Sequence, residues 1–496
     1  MPRLTEAAPL NLLLRRCLPG TMLCFLLAGC TTAPPVLPER GGVMQGRFTP
    51  NRVEMLIAGN DALAARLELI DQARQRIVFQ YYIFLADDAG RLVADALLRA
   101  ADRGVEVRGL VDDMHGADNR LLKSLNAHPR IQIRRYKPFR LEGLRLLETV
   151  LDFRRVGRRM HNKQLTVDGA KSIVGGRNIG DEYFGTSPDV AFADLDVVIA
   201  GPAVAELERS FDDYWSAPHS KARGGDDPER LQKLRAALAQ WEVTAKPALQ
   251  GVLERSAWRR ERQAGQLLRH HCPALVLADF PEKLDSARPD SPVARQIALR
   301  LQQSREDVLL ISSYFVPGEA GVQTLGEVAQ RKVRVTVVTN SLASTDVPAV
   351  HAGYARYRVP LLRAGVVLWE TRPLQGAPEQ SAGLGESRAT LHTKAYFFDR
   401  RYLFVGSFNL DPRSAALNTE MGLLFDCPAL AGPVTAALAQ ALPALAYRVV
   451  LDDSGALGWE SRGPGGIHLL AREPEAGAWR RFQVWWLQWL PIESEL

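Results

Sequence analysis

Two kinds of apolar pattern alternate along the chain. DALAARLELIDQARQ (61–75) carries its apolar residues at helical spacing, and the run IVFQYYIF (77–84) that follows reads as a buried strand. A second helical stretch then leads to GVEVRGLVDD (104–113), another strand. The same order returns later: ARQIALRLQQSRED (294–307), VLLISSYFVP (308–317), a helical stretch through Leu325 and Val328, and KVRVTVVTNS (332–341). Each half then closes on a strand, a turn and a strand. The first is KQLTVDGAKSIVGG (163–176), turning at Asp168 and Gly169; the second is KAYFFDRRYLFVGS (394–407), turning at Asp399. Strands alternating with helices predict an α/β fold, and the repeated order predicts two pseudo-symmetric lobes, each a β-sheet flanked by helices. Residues 219–273, polar and helical, with PERLQKLRAALAQWE as their clearest amphipathic stretch, read as a connector between lobes at 51–218 and 274–496. The connector's Arg255, Arg259, Arg260 and Arg262 read as a solvated helix face.

The hairpins carry the candidate chemistry. Residues i and i+2 of a strand face the same way, so His161 and Lys163 project side by side. An imidazole beside an ammonium suits phosphate chemistry, but one such pair is a weak signal. The second copy changes that: His161, Lys163, Asp168, Gly175 and Asn178 recur as His392, Lys394, Asp399, Gly406 and Asn409 at the same offsets. In a hairpin the His–Lys end and the Gly-x-Asn end meet at one edge, and that edge is the candidate active site. Lys163, Lys394, Asn178 and Asn409 supply the cations and donors that a phosphodiester needs to offset its charge. Gly175, Gly176, Gly406 and Ser407 either let a phosphate approach the backbone closely or simply end the strands. Asp168 and Asp399, at the turns, suit bracing better than reaction.

Length and composition narrow the class. A chain of 496 residues with 46% hydrophobic content is long enough for two sizeable cores and is not disordered. Of the formal net charge of +6, Arg3, Arg15, Arg16 and Glu6 contribute +2, so the remaining excess is modest. It favours an anionic partner only where clustered, as at Arg154, Arg155, Arg158 and Arg159, which read equally as a solvated run. Arg15 and Arg16 precede the run MLCFLLAG, too short to span a bilayer, so residues 1–29 are expected to be an export signal. The tetrapeptide Leu27-Ala28-Gly29-Cys30 resembles a bacterial lipobox, which implies cleavage before Cys30 and lipidation of its thiol. Residues 30–50, with Pro34, Pro35 and Pro38, then form a stiff tether. Thr31 in place of Asp after Cys30 resembles lipoproteins sorted to the outer membrane of Gram-negative bacteria. Cys272 and Cys427 can pair in an oxidising compartment, but nothing in the sequence brings them together. His270-His271-Cys272 lacks metal-ligand spacing. Trp479, Trp485, Trp486 and Trp489, with Leu487 and Leu490, suit either a membrane interface or packing between the lobes.

The pattern H-x-K-x4-D-x6-G-[GS]-x-N in both halves resembles the phospholipase D superfamily, over the chain from about Asn51 onward. Within it, the lipobox-like start, the duplicated lobes and the terminal FQVWWLQWLPIESEL look most similar to the bacterial cardiolipin synthase C group. The resemblance implies one active site at the interface of two phospholipase D-like lobes, with His161, Lys163, Asp168, His392, Lys394 and Asp399 as its motif residues. Asn178, Asn409, Ser407 and Gly176 would bind the phosphate. One histidine attacks phosphorus to give a phosphohistidine and the other serves as acid; His161 is the expected nucleophile and His392 the acid. An acidic partner is implied for each histidine on the strand after its motif: Glu420 in NTEMGLLF and, where Glu is usual, Asp194 in FADLDVVIAG, chosen over Asp196 by register. No metal or cofactor is implied.

The expected activity is a membrane-anchored phosphatidyltransferase forming cardiolipin from phosphatidylglycerol and a second phospholipid. Phosphatidylethanolamine is a candidate for the second, and an accessory protein is left open. The alternative is a phospholipase D that hydrolyses lipids to phosphatidic acid. Nucleic acid is disfavoured as a partner because a lipid-anchored, exported protein is removed from it, and intact residues at all ten motif positions argue against a catalytically dead binding protein.

Overall fold

Among the described residues, eighteen strands form one continuous sheet that runs through both halves of the molecule. In the computed structural model residues 47–496 are described, apart from 117–119, 142, 188–189, 223, 245, 266–267, 288, 376–387, 464 and 491–492. The expected signal, Cys30 and nearly all of the tether lie outside the described residues.

The sheet is built outward from two central strands, Thr49–Leu56 and His270–Ala278, which pair antiparallel. On one side follow Asp196–Ala200, Lys171–Gly175, Gln164–Val167, Arg76–Tyr81, Glu106–Asp112 and Ile131–Tyr136. On the other follow Met421–Asp426, Tyr402–Gly406, Lys394–Phe398, Asp307–Ser312, Arg334–Asn340 and Val367–Thr371. Each lobe thus pairs an antiparallel hairpin next to the centre with three parallel strands outside it, the α/β duplication that the apolar pattern predicts.

The parallel strands need helical crossovers, and the sequence supplies them with their starts marked. Asp87 caps the helix Asp88–Asp102 by accepting from Gly90 N, and Ser291 caps Pro292–Gln303 through Ala294 N. Each of these helices buries an apolar stripe: Leu92, Val93 and Leu97 on Asp88–Asp102, and Val293, Ile297 and Leu301 on Pro292–Gln303. Each such side chain stabilises its lobe by about 1.5–3 kcal/mol. A third cluster, with Val174, Ile199, Leu309, Phe397 and Val405, belongs to both halves and holds the hairpins together.

Residues 228–263 differ from their reading as a link between lobes. Their helices fold onto the first lobe: Leu234, Leu238, Trp241, Leu253 and Trp258 join its core, and the indoles of Trp241 and Trp258 donate to Asp88 and Glu68 at 2.8 and 2.7 Å. Cys272 and Cys427, which no spacing rule could bring together, form a disulfide across the neighbouring strands His270–Ala278 and Met421–Asp426.

Candidate active site

The two motif hairpins meet where the lobes meet, and the backbone interlocks them. His161 N–H donates to Thr419 O at 2.9 Å, and His392 N–H to Ala193 O at 2.8 Å, so each histidine is hung on the other half. Strands Val190–Ala193 and Arg388–Leu391, one from each half, also pair in parallel.

This interlock decides which carboxylate serves which imidazole. Glu420 follows Thr419, and its carboxylate lies 2.9 Å from His161 Nδ1; Asp194 follows Ala193, and its carboxylate lies 2.6 Å from His392 Nδ1. The pairing is therefore crossed, whereas the sequence suggested that each half would serve its own histidine. Both carboxylates are fully buried. The register that favoured Asp194 over Asp196 matches the geometry: Asp196 instead pairs with Arg66 and Arg177 at 2.9 and 3.4 Å.

The ammonium groups line the same site. Lys163 Nζ donates to His161 O at 2.7 Å, and Lys394 Nζ to His392 O and to Ser313 Oγ. Tyr82 packs edge-on against His161 with ring centroids 5.1 Å apart, and Tyr183 does the same for His392 at 5.3 Å. Phe192 lies 5.2 Å from His392.

Several predicted site residues turn out to hold other residues rather than open into the site. Asp168 and Asp399 lie at the turn ends of the hairpins, away from the imidazoles. Asp168 accepts from Arg74, Gln75 and Arg76 N–H at 2.8–2.9 Å, and Asp399 from Arg305, Glu306 and Asp307 N–H. Each ties its hairpin to the start of the first parallel strand, so both leave the catalytic set. Gly176 does not cradle a phosphate: a Cβ there would stand 2.2 Å from Asp194 Oδ1, so its bareness makes room for the carboxylate. Ser407, in the same position of the other half, donates to Glu420 and accepts from Met421 N–H. The Gly–Ser difference between the motifs thus follows the Asp–Glu difference between their carboxylates. Asn178 accepts from Ile83 N–H and donates to Tyr183 OH, which occupies its amide with protein. Asn409 Oδ1 accepts from Ser313, and no acceptor among the described residues takes its NH2, so it remains the amide suited to a phosphate oxygen.

Of the arginine cluster before His161, Arg155 pairs with Glu148 and Asp152, Arg158 donates to Leu284 O and Ser286 O, and buried Arg159 holds Val156 O and Lys137 O. The anionic-partner reading of that cluster therefore fails for three of its four members, and Arg154 alone is exposed. Sequence reasoning also missed Asp112 and Asp279. They fix the strands that carry the two catalytic ends, through Met160 N–H at 3.0 Å and Glu420 N–H at 3.1 Å. Both are acids at or just beyond the end of a buried strand run, which is the signal that could have found them.

Electrostatically the two histidines are unequal. Burial, reinforced by Lys163, Lys394 and His392, drives the His161 imidazole well below its ordinary pKa. Burial and Lys394 also lower His392, but Asp194 opposes them. Burial would raise Asp194, yet His392, Lys394 and Arg177 outweigh it and hold the carboxyl below its usual range. Glu420, for which burial wins over Lys163 and Ser407, is pushed up to about 7. Burial brings Lys163 down to about 7.

A duplicated α/β lobe whose two imidazole–ammonium pairs share one interface is the architecture of a phospholipase D-type phosphodiester site. Residues 67–215 and 297–442 match the family described as "Cardiolipin synthase, PLD-like domain", and the chain belongs to it. It is 39% identical over 446 residues to cardiolipin synthase C of Escherichia coli, covering 87% of this chain and 93% of that one. It is 27% identical to Escherichia coli cardiolipin synthase B over 75% of this chain and 76% of that one. An uncharacterized protein of Helicobacter pylori is 34% identical, with 77% of this chain and 78% of that one covered. In fold the chain is similar to the crystal structure of phosphatidylserine synthase from Haemophilus influenzae: TM-score 0.60, 15% identity, 91% of this chain and 98% of that one covered.

Proposed function

We propose that this protein is a membrane-anchored phosphatidyltransferase that forms cardiolipin from phosphatidylglycerol and a second phospholipid, phosphatidylethanolamine among them, through a phosphohistidine on His161. The single observation that carries the mechanism is the crossed, unequal pairing of two buried carboxylates with two imidazoles. Ionised Glu420 accepts from His161 Nδ1–H, which leaves the Nε2 lone pair facing outward, and the depressed pKa keeps that imidazole neutral and nucleophilic. His392, beside a carboxylate held ionised, is the better proton carrier.

In the first half-reaction His161 Nε2 attacks phosphorus, the bond from phosphorus to the headgroup oxygen breaks, and His392 Nε2–H protonates the departing alkoxide. In the second, an acceptor hydroxyl gives its proton to neutral His392 Nε2 and attacks phosphorus, and the P–N bond to His161 breaks. Lys163, Lys394 and Asn409 offset the charge on the non-bridging oxygens in both steps. Each half of the chain supplies what the other lacks, so neither His161 nor His392 is redundant.

Assignment of cardiolipin rather than another product rests on the relatives named cardiolipin synthase, and the anchor rests on the lipobox-like Leu27–Cys30. The test is product analysis with the purified chain on phosphatidylglycerol vesicles, with and without phosphatidylethanolamine. Cardiolipin with the released headgroup as main products supports transfer; phosphatidic acid dominating under every composition would make the chain a phospholipase D.

A further inference from the structure

The largest departure from ordinary surface chemistry is a concentration of exposed apolar side chains. Of the nineteen large apolar side chains exposed among the described residues, eleven fall in two short segments, 141–151 and 479–489. In the first, the helix Arg145–Leu151 is turned inside out. Leu146, Leu147, Val150 and Leu151 face solvent at 66, 47, 57 and 71% exposure, while Glu148 points inward and accepts from Arg140 N–H and Leu141 N–H. In the second, the helix Ala478–Leu487 buries Val484 and Leu487 but leaves Trp479, Phe482, Trp485 and Trp486 exposed, followed by Trp489 at 75%. The choice left open for these tryptophans, between a membrane interface and packing between lobes, is settled against the latter.

The two segments come from different lobes, yet both hang from one residue beside the catalytic centre. Arg413, whose charge acts on His161, donates from Nη2 to Gly157 O at 2.6 Å, just after the inverted helix. Its Nη1 donates to Glu495 O at 3.0 Å and its backbone N–H to Leu496 O at 2.7 Å, just after the tryptophan helix. Glu495 in turn feels Arg154 and Arg158 of the first lobe.

We propose that the outward faces of Arg145–Leu151 and Ala478–Leu487 form a two-part platform that docks on an anionic phospholipid surface and presents the mouth of the interlobe site to it. Exposed apolar side chains in this number are costly in water and mark a docking face. Leucines dip into the acyl boundary, and indoles prefer the headgroup level. The charge pattern selects a lipid over a protein copy of the same face. Arg154 and Arg481 are exposed among the apolar residues, Arg140 is exposed but partly offset by Asp152 at 3.9 Å, and the span from Gly477 to Ile492 carries Arg480 and Arg481 with no acid, so two copies of the tryptophan face would repel one another whereas an anionic bilayer attracts it. This inference rests on the transferase reading, which requires that a lipid headgroup reach a buried site.

The test uses the full chain carrying Cys30→Ala, so that no acyl anchor contributes, and vesicles of phosphatidylethanolamine and phosphatidylglycerol with brominated acyl chains. We expect the tryptophan emission to shift to the blue and be quenched on adding vesicles. Leu147→Asp combined with Val150→Asp should lower the apparent vesicle affinity at least about tenfold. Trp485→Ser combined with Trp486→Ser should do the same, with both melting curves unchanged. Against vesicle substrate both variants should lose turnover in the same proportion, while turnover of a short-chain, monomeric lipid stays at the parent's rate. Absence of quenching at any vesicle concentration, or a concentration-dependent dimer that buries the indoles, would overturn the platform. No turnover of either substrate by the parent, with quenching intact, would sink the transferase reading and leave the platform standing.

Discussion

Asp194→Asn is the substitution whose consequence the geometry fixes most tightly. The Asp194 carboxylate is fully buried, 2.6 Å from His392 Nδ1, and its other oxygen accepts from Leu195 N–H at 2.8 Å. Asparagine has the same shape and can keep the Leu195 bond, but it then turns an NH2 toward Nδ1 and removes the negative charge that supports an imidazolium. A hydrogen bond to a charged group is worth about 1.5–3 kcal/mol, and about 1.4 kcal/mol is a factor of ten in rate, so protonation of the leaving alkoxide should slow roughly 10- to 150-fold. The forced change of tautomer makes this a lower bound. The assay compares two lipids with the same phosphatidyl group: phosphatidylglycerol, whose glycerol must leave protonated, and the p-nitrophenyl ester, whose phenolate leaves without a proton. Release of p-nitrophenol in a single turnover should fall no more than about threefold in Asp194→Asn, because His161 and Glu420 are untouched. Equal losses on both substrates, or a leaving-group dependence found in Glu420→Gln instead, would refute the crossed assignment of acid and nucleophile.

Other outcomes follow from the same geometry. Below about pH 7 the Glu420 carboxyl takes up a proton and donates it to His161 Nδ1, which puts the hydrogen of the neutral ring on Nε2; above about pH 7 Lys163 loses its charge. The pH profile of kcat/KM should therefore be a bell centred near 7, its acid limb removed in Glu420→Gln and its alkaline limb moved to lower pH there, because the Glu420 charge is what holds the Lys163 ammonium up against burial. Opening the Cys272–Cys427 disulfide, by reduction or by a double Cys→Ser change, should cost about 3–5 kcal/mol in a denaturant titration while leaving the site's activity intact below the transition. Cys30→Ala should leave the N-terminus unprocessed or the protein released, which mass spectrometry of the mature N-terminus and membrane fractionation would read; a wild-type Cys30 thiol free of lipid would count against the anchor. Activity should survive EDTA, and loss restored only by a divalent ion would mean the phosphohistidine scheme is incomplete.

What the sequence made legible is what repeats locally. The alternation of helical and strand periods placed the two lobes, and the common offsets of His161 and His392, Lys163 and Lys394, and Asn178 and Asn409 placed both hairpins before any contact was visible. Register pointed to Asp194, but strand alternation alone could not separate it from Asp196, since i and i+2 share a face; the break at residues 194–195, between strands Val190–Ala193 and Asp196–Ala200, is what sends Asp194 to His392 and Asp196 to Arg66. The crossing of the carboxylates was not legible: it depends on Thr419 and Ala193 accepting from histidines of opposite halves, a tertiary fact with no local period. Nor was the use of the small residues. A bare Gly176 is compatible with a phosphate or a carboxylate in the space beside it, and only the position of Asp194 decides. The connector misled for a related reason, since an amphipathic helix declares that it has an apolar face but not which lobe will cover it.

The most direct test of the central claim is to trap the covalent intermediate. The p-nitrophenyl phosphatidyl ester forms it without needing an acid, and His392→Ala removes the base that would activate the acceptor, so the phosphatidyl group should accumulate on the enzyme. Rapid quenching at alkaline pH, where a P–N bond to imidazole survives, followed by peptide mass spectrometry, should find the phosphoryl group on the peptide containing His161. None should appear in His161→Ala. Label on His392 in the wild-type chain, or turnover with no labelled histidine in either half, would contradict a single site in which His161 attacks under the hold of Glu420 from the opposite lobe.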